Sequence, residues 1–383
     1  MTVRRNSRRF KTAFKLLLAG DFEVSWQRLQ AVELVIWDEV GSQFLLDALD
    51  PVSHYILKVR NYSIYLHPLI VWETLISALT RRNTHYGIVI KHLQPKAVVT
   101  FIDNNAQFHK LASRFPDVRF IAIQNGARKA LGDAPAPIGP PASYDSEYLC
   151  FGQNEIDSYR AIGYHFKQIK VMGSLKNALF VQHLRGSTEQ FDASEGYDLV
   201  LISQFRAAMM TSVPLRQGPV EYEKTVRCLY SYLESHAGLR VSVAMVTAGG
   251  DPDHDAEVLF HQERLGNLVT LVPNSEDRMS NYYLTEKSKV AVSAYSTLGL
   301  ENLGRGCRTL MCSSIYSEAF KDQPFFPDWA LLRLDQETFD DAMTKLLVMP
   351  REDFVSRNSK SKNYVMVSSH ENSILEFKRQ VVG

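Results

Sequence analysis

Ser293-Ala294-Tyr295-Ser296-Thr297-Leu298-Gly299-Leu300-Glu301-Asn302-Leu303-Gly304-Arg305-Gly306 follows a short apolar run, Val290–Ser293, and leads into another, Arg308–Cys312. The pattern predicts a strand, a helix and a second strand. Ser296 or Thr297 caps the helix and leaves backbone N–H groups facing outward, where an anion can sit. Glu301 lies about one turn further along nearly the same face, placed to accept hydrogen bonds from ribose hydroxyls. Gly304 and Gly306 permit a close approach and a tight exit toward the strand ending at Cys312. The plainer reading is an ordinary capped helix with a solvated glutamate.

Outward from this unit the same alternation recurs. Toward the amino terminus, Asp198–Ile202, Arg240–Val246 and Leu268–Leu271 read as strands, with helices over Tyr222–His236 and Ser280–Lys287. Phe339–Val348 and Glu371–Gln380 read as carboxyl-terminal helices. The first half repeats the scheme with strands at Glu33–Trp37, Tyr55–Val59, Ser63–Leu66, Ala97–Ile102, Arg119–Ile123, Tyr148–Phe151 and Ile169–Met172. Helices are expected at Gln43–Leu49, Leu69–His92, Ala106–Phe115 and Asn154–Ile162. Residues 130–144 hold four prolines and two glycines and read as a loop. Polar residues 184–197 read as a linker between two α/β series.

Composition narrows the function classes. The chain has 383 residues, 45% apolar and 22% charged, which suits a soluble globular protein of two or three domains. Lys plus Arg number 43 against 42 Asp plus Glu, so the basic surplus that a dedicated nucleic-acid binder needs is missing. Cys150, Cys228, Cys307 and Cys312 are widely spaced without a CxxC pair, which points to a reducing cytoplasm rather than to disulfides or zinc. GxGxxG, Walker A, GxSxG and HExxH patterns do not occur. Asp251-Pro252-Asp253-His254-Asp255 groups carboxylates with an imidazole, but in a Gly/Pro turn of the kind that is usually solvated, so no metal site is expected. Residues 1–20 carry Arg4, Arg5, Arg8, Arg9, Lys11 and Lys15 among apolar residues, with no acid before Asp21. This basic amphipathic segment is either a solvated helix or a peripheral contact with an anionic membrane at the inner face of the cytoplasmic membrane.

The Ser293–Gly306 segment resembles the nucleotide-sugar signature of GT-B glycosyltransferases. Tyr148–Ala178 is similar to the end of that fold's amino-terminal domain. The resemblance implies an α/β, GT-B-like architecture: two Rossmann-like domains facing a central cleft. Its parts would be the segment 1–20, an acceptor domain over 21–183, the linker 184–197, a donor domain over 198–350, and helices over 351–383 returning to the first domain. Met172-Gly173-Ser174-Leu175-Lys176 resembles the Gly-Asn-Leu-Lys turn of lipid A Kdo transferases. Ala97–Arg128 is similar to a stretch of O-antigen and capsule proteins, including retaining β-Kdo transferases that use CMP-Kdo. Gln124-Asn125-Gly126 resembles the Gln-His-Gly turn of teichoic-acid polymerases, which use CDP-polyols. One departure matters: the β-Kdo transferases have Asp-Gln after the first strand of the second domain, and here the pair is Ser203-Gln204. The nucleophile then comes from elsewhere, or the reaction is not retaining Kdo transfer.

The implied activity is transfer of Kdo or another acidic sugar from a CMP-linked nucleotide sugar to an oligosaccharide or lipid-linked acceptor of surface-polysaccharide synthesis. No metal or other cofactor is implied. The alternatives are a CDP-polyol phosphotransferase and a non-catalytic sugar-binding subunit. Ligands of open α/β sheets bind beyond the carboxyl ends of the strands, and the candidates are read from there. Asp103, with Glu39 or Asp38 next, is the expected base or nucleophile. Arg206 and Lys176 are the expected phosphate partners. Ser203, Gln204, Ser296, Thr297, Glu301 and Ser174 complete the expected nucleotide site. Gln124, Asn125, Arg128 and Asn104 would meet the acidic sugar or acceptor.

Overall fold

A computed structural model of the chain describes residues 24–25, 29–49, 51–59, 64–65, 67–80, 84–127, 143–186, 196–210, 217–275, 279–320, 323–331, 333–368 and 371–382. The expected segment 1–20, Arg128 and most of the 184–197 linker lie outside the described residues.

Thirteen strands are described: β1 Val24–Ser25, β2 Leu34–Trp37, β3 His54–Leu57, β4 Ile64–Tyr65, β5 Ala97–Thr100, β6 Arg119–Ile123, β7 Ser143–Cys150, β8 His165–Val171, β9 Leu199–Ile202, β10 Val241–Ala248, β11 Thr270–Asn274, β12 Val290–Ser293 and β13 Thr309–Met311. The helices of the first half are α1 Ser42–Ala48, α2 Pro68–Thr80, α3 His85–Leu93, α4 Ala106–Ala112, α5 Gln153–Ala161 and α6 Leu175–Gly186. Those of the second are α7 Gln217–Ser235, α8 His254–Leu265, α9 Ser280–Glu286, α10 Thr297–Gly304, α11 Ser314–Phe320, α12 Gln336–Val348, α13 Arg351–Val365 and α14 Glu371–Val382.

Two parallel sheets organise these elements. The first runs β3-β2-β5-β6-β7-β8 and the second β11-β10-β9-β12-β13, with a small β1-β4 pair apart from both. Their central strands are continuous apolar runs because helices cover both faces. In the first sheet Val35, Val98 and Ala122 point to one side, against Ile88 and Leu93 of α3. Leu34, Ile36, Val99 and Ile121 point to the other, where Ile374, Phe377 and Val381 of α14 cover them. The last helix therefore packs on the first sheet. The second sheet encloses the larger core, with Leu201, Val243 and Val292 among Tyr222, Phe260, Leu300 and Trp329.

In each sheet the chain begins centrally, builds one side, then crosses to the other. The crossing points lie between β2 and β5 in the first sheet and between β9 and β12 in the second. At such a point adjacent loops diverge and leave a crevice at the carboxyl edge.

The structure departs from the sequence-based expectation in several places. β7 starts at Ser143 rather than Tyr148, taking in the end of the expected loop. Its first residues alternate exposed and buried, so no apolar run announces it. Helices α6, α8 and α11 were not expected as helices. The Asp251–Asp255 turn opens α8, whose first turn carries Asp255 and Glu257, acids that favour a helix amino terminus.

Candidate functional site

The crevice of the second sheet is a cavity of about 360 Å³ at the ends of β9 and β12. That lies within the roughly 300–1,000 Å³ of small-molecule sites. Ser203, Gln204 and Arg206 line it from β9, and Tyr295, Ser296 and Thr297 from β12. Ala127, Val246, Ile315 and Tyr316 complete the wall. Gln204 holds the two strand ends together, its Oε1 accepting from the Tyr295 amide at 2.8 Å. Ser296 is the amino-terminal cap of α10, its Oγ accepting from the Leu298 amide at 3.3 Å. Gly299 lets that helix lie close to the sheet: a Cβ there would stand 2.8 Å from the Ser293 Cβ. Thr297 reaches the other half of the molecule, its Oγ1 accepting from the Ala127 amide at 2.8 Å. Ala127 follows β6, so the carboxyl edges of the two sheets meet at this cavity.

Arg206 is exposed on the cavity wall, one of its N–H groups donating to the Phe205 carbonyl at 3.1 Å. Burial raises the Tyr295 hydroxyl pKa despite the opposing charge of Arg206. With a helix start, the cavity therefore offers an anion a cation, hydroxyls and backbone donors. No carboxylate is among its lining residues.

Beneath the cavity floor lies a buried polar network in which Ser203 joins residues absent from the sequence-based candidates. Glu257 is fully buried, and its carboxylate accepts from the Val246 and Thr247 amides, each at 2.9 Å, from Thr247 Oγ1 at 2.7 Å and from Ser203 Oγ. Burial pushes the carboxyl up, but His261, Ser203, Val246 and Thr247 outweigh it and bring the pKa down to about 2. His261 Nε2 lies 3.2 Å from the same Ser203 Oγ. Glu257 and His261 are four apart on α8, a spacing that puts both on one helix face and is the one sequence signal they gave. The network fixes Ser203 and joins the ends of β9 and β10. Glu221 does similar work at the end of β13, accepting from Ser313 Oγ at 2.6 Å and Ser314 Oγ at 2.5 Å.

Glu301 does not line the cavity. It is 2% exposed, and its carboxylate accepts from Ser174 Oγ at 2.5 Å and Tyr282 OH at 2.6 Å. Both oxygens are thus engaged by protein, and the contact with Ser174 ties α10 to the loop before α6. Asn177 of α6 strengthens the junction, donating to the Glu301 carbonyl at 3.1 Å and accepting from Arg305 at 2.6 Å. Gly306 has φ +78°, the left-handed turn expected at the helix exit.

The remaining candidates belong to the first sheet. Asp103 is fully buried and accepts from Tyr148 OH at 2.6 Å. The cap of α4 is Asn105, whose Oδ1 accepts from the Gln107 and Phe108 amides. The Asp103 carbonyl accepts from His109 Nε2 at 2.7 Å, which leaves His109 Nδ1 to accept from Ser146 Oγ at 2.8 Å. Burial accordingly holds the His109 pKa below its ordinary value. Asp38 is also buried, at φ +81°, with Oδ1 accepting from the Val40 amide. Glu39 and Asn125 are half-buried and Asn104 is exposed. Lys176 sits over the rings of Phe44 and Phe101, 5.1 and 5.2 Å from their centroids, rather than on the cavity. Gln124 is buried, donating to the Gly126 carbonyl and Glu155 and accepting from the Phe151 amide. The structure thus gathers Ser203, Gln204, Arg206, Ser296 and Thr297 in one cavity and leaves Asp103, Asp38, Glu39, Lys176, Ser174, Glu301, Gln124, Asn104 and Asn125 outside its lining. Among the described residues no cluster of three or more His, Cys, Asp or Glu is placed to hold a metal ion, and no helix is long and apolar enough to cross a membrane.

No family model and no curated protein matches the sequence. Solved structures do resemble the fold. A UDP-GlcNAc 2-epimerase from Neisseria meningitidis bound to UDP-GlcNAc is 9% identical, over 93% of this chain and 99% of that one, with a TM-score of 0.51. The S. aureus MnaA–UDP co-structure is 10% identical, over 93% and 95%, with a TM-score of 0.53. A 2-epimerase described as putative, from Listeria monocytogenes, is 10% identical, over 91% and 94%, also with a TM-score of 0.53. At these identities the likeness is one of fold, and with two parallel sheets meeting at their carboxyl edges it shows that the chain has the GT-B fold.

Proposed function

We propose that this chain is a nucleotide-sugar-dependent enzyme, a glycosyltransferase that takes its donor in the Ser203–Thr297 cavity. The observation that carries the reading is the joint placement of the Ser296-capped helix start and the exposed Arg206 on one cavity at the crossing point of the second sheet. Donor phosphates would lie between the two, and developing charge on the departing nucleotide would be met by fixed dipoles and a cation. Structures of the same fold bound to UDP-GlcNAc and to UDP support a nucleotide-sugar partner. A CMP-linked acidic sugar such as Kdo, and a surface-polysaccharide or lipid-linked acceptor, rest on the resemblance carried by Ala97–Arg128 and Met172–Lys176. Acceptor activation falls to the carboxylates beyond the first sheet, where Glu39 is half-buried and Asp38 and Asp103 are buried.

A thermal-shift panel of CMP, CDP, UDP and GDP tests the proposal. A nucleotide at about 100 times its Kd stabilises the folded state by about 2.7 kcal/mol, and CMP is expected to give the largest shift. A response to CDP above the others favours the polyol phosphotransferase. A response to UDP alone keeps the nucleotide-sugar reading and replaces the donor. No response to any of the four leaves a non-catalytic protein.

A further inference from the structure

Helix α2 turns an apolar face to the outside. Ile70 is buried, whereas Leu69, Trp72 and Leu75 are 56%, 63% and 57% exposed. At ~100° per residue these three fall on one arc, away from Ile70. Single exposed apolar side chains are ordinary, but a contiguous helical face with a tryptophan at its middle marks an interaction surface. The acid on its flank, Glu73, is paired with Lys91 at 3.0 Å and lies 3.2 Å from His92 Nε2. Beside the helix start lies a cavity of about 380 Å³ whose wall includes His67, Lys91 and His92 next to Leu69. With Glu73 paired, the apolar arc and this cavity share one side of the molecule without an uncompensated charge from that acid.

The chain path adds a third observation. Val24–Ser25 pairs in parallel with Ile64–Tyr65, directly before α2. Val24 thus lies close in the chain path to α2, and sequence 1–20 carries six cations and no acid. An anionic lipid surface is complementary to both the apolar arc and the charge.

We propose that the outward face of α2 is a docking surface for an anionic bilayer, with Leu69, Trp72 and Leu75 entering the boundary between headgroups and acyl chains. The inference does not depend on the nucleotide reading. Co-sedimentation of the full chain with phosphatidylglycerol-containing vesicles, against vesicles of phosphatidylcholine alone, tests it. Binding is expected to the first and to weaken with salt. Trp72→Ser combined with Leu75→Ser is expected to lower the partition roughly tenfold or more, with the thermal midpoint unchanged because both side chains are exposed. In a Trp26→Phe background, Trp72→Phe is expected to keep the partition and to lose most of the quenching by brominated acyl chains, since the other two tryptophans, Trp37 and Trp329, are fully buried. Equal vesicle binding by the double variant and the wild type, or no binding by the wild type, overturns the proposal. So does self-association in sedimentation velocity that the double variant abolishes, which would make a second copy the occupant.

Discussion

Replacing Arg305 by methionine is expected to destabilise the protein by about 3 kcal/mol or more, the range for removing one partner of a buried ion pair. The side chain is 3% exposed. Its guanidinium donates to Glu286 at 2.7 Å, Asn177 at 2.6 Å, Asn302 at 2.7 Å and Thr285 at 3.2 Å. Its plane also lies 5.0 Å from the Phe180 ring centroid. Burial pushes the Glu286 carboxyl up, and Arg305 with Arg351 more than offsets that push. Without Arg305, Glu286 keeps the half-exposed Arg351, at 3.1 Å, and the Cys307 thiol, at 3.2 Å, as partners. Because Asn177 belongs to α6 and Arg305 follows α10, the substitution also loosens the junction between the two halves. Urea unfolding of the single variant and of Arg305→Met with Glu286→Leu checks both points. The double variant is expected to recover part of the loss, since an apolar pair no longer buries an unpaired charge. A single-variant loss below about 1 kcal/mol would place the pair among surface bridges of little weight.

Acidification is expected to act through Glu257. Its folded pKa of about 2 lies below the ordinary carboxyl value of 4.5. A depressed pKa contributes stability that is fully present above the unfolded pKa and is lost as pH falls through the folded one. The window therefore runs from about pH 4.5 down to about pH 2, and the depression is worth about 3 kcal/mol. Glu257→Gln keeps the shape but turns an amide donor toward the Val246 and Thr247 N–H groups, which are donors themselves. The variant should lose about 3 kcal/mol at neutral pH and lack this part of the acid sensitivity. Urea midpoints of both proteins from pH 6 to about pH 3 decide it: the difference between them is expected to shrink as pH falls. A constant difference across that range would mean that the carboxylate is not held ionised by its donors.

How far the sequence was legible depended on distance along the chain. Runs such as Leu199–Ile202 and Val290–Ser293 announce strands because both faces of a parallel sheet are covered. The residues after those strands then follow from topology, and five of them do share a cavity. Helix α13 lies within the helices expected over 351–383, but its bounds were not legible because its buried face mixes Phe354 and Val365 with polar residues. Between Phe354 and Val365, Asn358, Ser361 and Lys362 are buried, with Ser361 accepting from Trp329 Nε1 at 3.0 Å, so the apolar period is interrupted. Glu301 illustrates the harder limit. Its distance from the helix start suits a ligand contact, but the partners that engage it, Ser174 and Tyr282, come from other elements that no local pattern connects. Glu257 is the converse case, a plain helical glutamate until Ser203, 54 positions away, is folded onto it.

The central claim is that the Ser203–Thr297 cavity holds the phosphate of a nucleotide. Calorimetric titration of CMP into the wild type and into Arg206→Ala tests this most directly, since Arg206 is exposed and its removal should leave the fold intact. Loss of a charged hydrogen bond of about 1.5–3 kcal/mol predicts affinity roughly 10- to 150-fold weaker in the variant, with an unchanged thermal midpoint in the absence of ligand. Equal affinity in the two proteins would contradict the account and move the nucleotide away from this cavity.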